Sequence, residues 1–181
     1  SDEVAEVLAR LGVDDVTAVL ADLGMSSLQV DTPRRGFSYR GVGPLDMRMD
    51  QSRGRTALEV LADMDEDSLV RLLREMGDEP HARRIARRVL DDEPQTTDEL
   101  ARSVREAVPA ARRRSGDPAK RVFQAVRMVV NDELGVLDRT LDVALDLVVP
   151  RGRLAVIAFH SGEDRAVKTR FRTEAEGGCT C

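Results

Sequence analysis

The chain has 181 residues, a length that suits one domain or one domain carrying a sizeable insertion. Apolar residues make up 41% and charged residues 34%, which excludes a disordered chain, and no apolar run approaches the roughly 20 residues a membrane span needs. The net charge is −5, and Cys179 and Cys181 are the only cysteines, so no disulfide framework is present and a cytoplasmic location is expected. In chain order, Val4, Val7, Leu8 and Leu11 give a short amphipathic helix. The run Val16 to Ala21 reads as a buried parallel strand ending at Asp22, followed by the small-residue turn Leu23-Gly24-Met25-Ser26-Ser27. A long loop rich in Gly, Pro and Arg extends from Asp22 to about Arg55, and loops of that length are usually functional. Asp65 to Ser68 then open a helix with Leu69, Leu72, Leu73 and Met76 on one face and Gly77 at the C-terminal cap.

Residues 80–90 form a second helix, with Ala82, Ile85, Ala86 and Val89 inward and Arg83, Arg84, Arg87 and Arg88 outward. Thr96 and Glu99 make a capping box that starts a helix through Val104 and Val108. A basic linker with Arg112-Arg113-Arg114 leads to a longer helical pattern from Ala119 towards Leu147, in which Gly135 is the expected bend or break. Pro150-Arg151-Gly152 turn into a second buried strand, Arg153 to Phe159, and His160 to Asp164 open the last helix. Two strands joined through a crossover helix make a βαβ unit. The domains expected are therefore an α/β core from 1–51 and 119–181, and an inserted helical block at 52–118.

Open α/β sheets bind ligands at the C-terminal ends of their strands, so Asp22, with Gln29 beyond the turn, and His160 after the second strand are candidate site residues. A self-bonded turn at Asp22 is the competing reading. Arg35, Phe37, Tyr39 and Arg40 interleave basic and aromatic side chains, a pattern for stacking unpaired bases beside phosphate contacts, unless one ring anchors the loop to the core. Arg121, Gln124, Arg127 and Asn131 share one polar face of the long helix, either a solvated face or one wall of a site. His160, Glu163 and Asp164 read as a helix start at Ser161 rather than a metal site, and the chain shows no nucleophile–base pair.

Taken together, several segments resemble the MraW family of bacterial ribosomal RNA methyltransferases. They are Asp-Leu-Gly-Met-Ser-Ser-Leu-Gln at 22–29, Arg-Gly-Phe-Ser-Tyr at 35–39, Gly-Pro-Leu-Asp-Met-Arg-Met-Asp at 43–50, Gly-Asp-Glu at 77–79, Arg-Arg-Ile-Ala-Arg at 83–87, the stretch 121–134, and 152–165 with its Phe-His-Ser-Gly-Glu-Asp-Arg ending. The resemblance implies an α/β fold, a partial Rossmann-like class I methyltransferase sheet with an inserted helical domain for RNA recognition. It also implies S-adenosylmethionine as cofactor, N4-methylation of a cytidine in small-subunit ribosomal RNA, the 30S subunit as partner, a homodimer as one assembly, and no membrane. Asp22 and Gln29 match its cofactor-binding positions, and Asp22 is the catalytic candidate. Arg35, Phe37, Asp46, Arg48, Arg84, Arg121, Gln124, Arg127, Asn131 and His160 fall in its signature segments as candidate substrate contacts. The family's glycine-rich cofactor loop belongs upstream of Ser1 and its closing strands beyond Cys181, so a central-to-C-terminal fragment, inactive or weak by itself, is expected. The alternative from another class is a helical RNA-binding module without catalysis, whose arginines give salt-sensitive affinity.

Overall fold

Val16–Asp22 forms β1 and Val148–Ile157 forms β2, and the two pair in parallel with Val19 opposite Leu154 and Asp22 opposite Ile157. This is a computed structural model, describing residues 4–110 and 116–177. The arginine cluster 112–114 and both cysteines lie outside those residues. Two units divide the chain, one of residues 1–24 with 132–181 and the other of residues 25–131.

In the first unit, Val4–Arg10 is α1 and Glu133–Leu147 is α8, the crossover helix that leads directly into β2. Ser161–Ala175 is α9. Leu137 and Leu141 of α8 pack with Val167 and Phe171 of α9, and with Leu154 and Val156 of β2, into a small core. Both strands were expected to be buried, yet β1 and β2 contain no fully buried residue. Each has a single paired neighbour among the described residues, so burial falls only to half on the face that meets the helices. Along β2 the alternation is strict, with Leu154 and Val156 inward and Arg153, Ala155 and Ile157 outward. The Pro150-Arg151-Gly152 turn is present as an irregularity inside β2: the register passes from Val16↔Val148 to Ala18↔Arg153, and Arg151 takes φ 70°.

The second unit is a helical bundle. Ser27–Asp31 is α2, Pro33–Arg35 a 3-10 turn, Ala57–Ala62 α3, Glu66–Glu75 α4, Ala82–Asp92 α5, Thr97–Ala107 α6 and Ala119–Val130 α7. The apolar stripes expected on α4, α5 and α6 form its core: Leu69, Leu73, Ile85, Ala86, Val89, Leu100 and Val104 are buried. Helix α3 was not expected; a capping box between Thr56 and Glu59 starts it. Three further differences have local causes. The stretch after Asp22 is not one open loop, because Ser26 and Gln29 nucleate α2 and Pro33 opens the 3-10 turn. Gly77 is not the left-handed cap of α4: Asp78 takes that conformation (φ 48°), while a Cβ at 77 would meet Leu73 O at 2.8 Å and Arg121 O at 3.1 Å, so glycine there lets α4 and α7 approach. The long helical pattern breaks at Asp132 (φ 48°), before Gly135, because Asn131 turns its amide onto a neighbouring loop.

The compact units also divide differently from the expected 51/52 and 118/119 boundaries. Phe37, Leu45 and Met47, and Ala119, Val122, Phe123 and Val126, are buried within the helical core, so residues 25–51 and 119–131 pack with the insertion.

Candidate active-site edge

Asp22 ends β1 as an exposed carboxylate, and the ladder continues one step further, with Leu23 N–H donating to Ile157 O at 3.1 Å. The parallel register therefore brings Asp22 and the residues after Ile157 to one end of the strand pair. Gly24 takes φ 103°, and a Cβ there would lie 3.4 Å from Phe159 Cδ2. The Phe159 ring thus stands over the turn that follows Asp22.

His160 caps α9. Its Nδ1 accepts from Glu163 N–H at 3.3 Å, while Glu163 Oε2 accepts from Phe159 N–H at 2.9 Å. His160 is thus the N-cap, with imidazole in the usual hydroxyl position, and Glu163 reaches back to the N–H of the residue before it, so the helix begins one residue earlier than a Ser161 cap implies. Glu163 is buried at 4% exposure. Its Oε1 lies 3.0 Å from His160 Nε2, but out of line with the N–H, leaving that buried nitrogen without a hydrogen bond. Glu133 joins them, the three ligand-capable atoms lying within 4.8 Å of one another. Through these two hydrogen bonds Glu163 and His160 tie the segment after β2 to the first turn of α9.

In the helical unit the sequence candidates separate into clamps and surface groups. Asn131 Oδ1 accepts from Met49 N–H at 2.7 Å, and its Nδ2 donates to Met47 O at 2.8 Å and Arg127 O at 2.9 Å. Arg35 Nη2 donates to Arg48 O and Met49 O at 2.8 and 2.7 Å. Both residues thus hold the backbone of loop 43–50, where fully buried Met47 adopts φ 58°. Asp46 is buried and receives Arg48 Nε at 2.7 Å, Arg48 Nη2 at 3.1 Å and Gln51 Nε2 at 3.0 Å. The Arg48 hydrogen bond holds the Asp46 carboxyl below the usual carboxylate range, outweighing the burial that raises it.

Phe37 is 6% exposed, in the core, and Tyr39 packs edge-on to Phe123 at 5.9 Å between centroids. Both rings pack within the helical unit, Phe37 buried in its core and Tyr39 half-buried against Phe123. Gln29 folds its Oε1 onto Ser26 N–H at 3.0 Å as part of the α2 cap, leaving only the amide nitrogen for a ligand. Arg121 reaches toward buried Glu79 at 3.7 Å. Gln124 and Arg127 are half-buried on α7, and Arg84 is exposed on α5. Its neighbours Arg83 and Arg87 lie against Glu66, and Arg88 against Asp92 and Glu106, so acids already neutralise much of that basic face.

The sequence reading missed Phe159, Glu133 and the mounting role of Glu163. Strand alternation was the available signal, since it continues past β2 to turn residue 159 outward with Ile157. Helices α8 and α9 covering one face of a parallel pair, with a carboxylate at its C-terminal end, define an α/β protein whose candidate ligand edge carries Asp22 and the Phe159–His160 segment. The chain belongs to the MraW methylase family, whose profile matches residues 1–181. It is 54% identical over 180 residues to the ribosomal RNA small subunit methyltransferase H of Frankia casuarinae, covering 97% of this chain and 56% of the relative. Proteins of the same name from Rubrobacter xylanophilus (58% over 167 residues, 91% of this chain, 53% of the relative) and Cutibacterium acnes (50% over 177 residues, 94% and 52%) are similar. The chain spans about half the length of the curated relatives it matches. No helix among the described residues is long and apolar enough to cross a membrane.

Proposed function

We propose that this chain forms the ligand-edge part of a Rossmann-like methyltransferase that uses S-adenosylmethionine to N4-methylate a cytidine of small-subunit ribosomal RNA, free or in the 30S subunit, in the cytoplasm. The observation that carries this is the parallel register setting exposed Asp22 and the start of α9 at one end of the strand pair. Family membership and the relatives' names support it. The chemistry at the strand end suits the cofactor: a solvent-facing carboxylate there can accept from ribose hydroxyls or an ammonium group. When bound, the cofactor supplies an electrophilic sulfonium methyl group.

The chain's residues then position and deprotonate. Asp22 accepts a hydrogen bond from the cytosine amine, orienting its nitrogen for in-line attack, and takes the proton the methylated amine releases. Glu163 and His160 hold the facing segment rigid, so orientation is settled before the substrate arrives. The helical unit contacts RNA through exposed cations such as Arg84 on α5. Loop 43–50, locked by Asn131 and Arg35, presents a fixed surface of that unit.

Incubation of the full-length protein carrying this chain with labelled S-adenosylmethionine and unmodified small subunits tests the reading. N4-methylcytidine in the digested RNA is expected, and Asp22→Asn should lower kcat by roughly a hundredfold or more. A different methylated nucleoside overturns the specificity, and an Asp22→Asn enzyme with intact turnover overturns the proton-acceptor role. Salt-sensitive RNA binding without stoichiometric cofactor binding would leave only a binding module.

A further inference from the structure

We infer that Phe159 is the stacking platform for the unpaired target base, with Asp22 reading that base's exocyclic amine; this rests on the methyltransferase reading above. The chain has four phenylalanines, one tyrosine and no tryptophan. Phe37 and Phe123 are buried, Tyr39 packs on Phe123, and Phe171 packs in the small α/β core. Phe159 alone stays open, at 69% exposure. Its place is not that of a loose surface ring. Its backbone N–H is held by buried Glu163, the next residue caps α9, and its ring lies against the Gly24 turn, within van der Waals reach of a Cβ at position 24. An aromatic face fixed this way loses little entropy on stacking.

The chemistry beside it selects the occupant. A π-face next to a carboxylate at a strand end suits a planar ring bearing an amino group, because a carboxylate accepts from cytosine N4 while every base can stack. Of the ring positions the sequence offered for this task, Phe37 is buried in the helical core and Tyr39 is half-buried against Phe123.

The test uses the full-length protein with Phe159→Ala, Phe159→Leu and Phe159→Trp, each checked for native far-UV circular dichroism. Leu keeps the apolar contact with Gly24 and removes the π-face; Trp keeps both and adds a fluorophore. Stacking predicts that kcat/KM for RNA falls roughly ten- to a hundredfold in both Ala and Leu, is retained in Trp, and leaves the dissociation constant for S-adenosylmethionine unchanged. It also predicts that the inserted indole, measured as a difference from the parent protein, is solvent-exposed and is quenched by an RNA hairpin with an unpaired cytidine, but not by cofactor alone. Leu matching Phe overturns the inference, as does quenching by cofactor alone, which would make the adenine the occupant. An indole already buried before RNA is added overturns it too, because another segment of the protein would then cover the ring. Absence of turnover in the parent sinks the methyltransferase reading, and the fluorescence arm still decides the platform.

Discussion

Replacing Asn131 by Ala tests whether loop 43–50 is held by a single side chain. The amide makes three hydrogen bonds, two of them to backbone groups of Met47 and Met49 more than eighty residues away in sequence. Truncation leaves the Met49 N–H and Met47 C=O without these partners beside a fully buried methionine in the left-handed region. Each net hydrogen bond is worth about 1 kcal/mol, and stranded buried groups cost more, so a loss of about 2–4 kcal/mol is expected. Tyr39, the only tyrosine in a chain without tryptophan, reports on this unit through its contact with Phe123. Urea unfolding followed by tyrosine emission should therefore shift its midpoint down by roughly 1–2 M. Gln124→Ala, half-buried on the same helix, is the control and should cost under about 0.5 kcal/mol. In hydrogen exchange, the Met49 amide should lose protection before the helix cores do. A loss below about 0.5 kcal/mol in Asn131→Ala, with Met49 still protected, would refute the clamp. Arg35 alone would then carry the loop.

Two other outcomes follow from the same unit. Gly36 sits at φ 74°, and a Cβ would overlap Pro44 O and come within 2.9 Å of Asp46 N, whereas Gly54 has φ 78° and open space around it. Gly36→Ala should thus cost about 2–4 kcal/mol and Gly54→Ala only about 1; equal losses would show that backbone conformation, not the close approach, demands glycine. Asp46, Asp92 and Asp117 all have carboxyls held below their ordinary range. Arg48 does this for Asp46 and Arg88 for Asp92; for Asp117, burial raises the value but the Arg105 and Ala119 hydrogen bonds overcome it. A depressed folded value means the unfolded chain binds protons first, so this stability is complete above about pH 5 and is lost as pH falls below about 4. Asp46→Asn should flatten the dependence of the urea midpoint on pH in that window, and an unchanged slope would remove Asp46 from the account.

Sequence by itself determined the local elements whose signals are contiguous. The capping boxes at Thr96 and the apolar stripes of α4, α5 and α6 appear where periodicity puts them, and the two strands and Asp22 at a strand end were legible because a β-prone run carries its own punctuation. The family-bearing segments were legible for the same reason: they are short, ordered words. Tertiary structure decided what depends on partners distant in the chain. Phe37 and Arg35 look alike as exposed loop residues until the bundle core claims one ring and the loop backbone claims one guanidinium. The helix break falls at Asp132 because Asn131 serves loop 43–50, a demand no local propensity encodes. Phe159 gained its role by elimination and by geometry. Burial of the other rings is a property of packing, and its closeness to Asp22's turn exists only once two strands, separated by more than a hundred residues, lie parallel and in register.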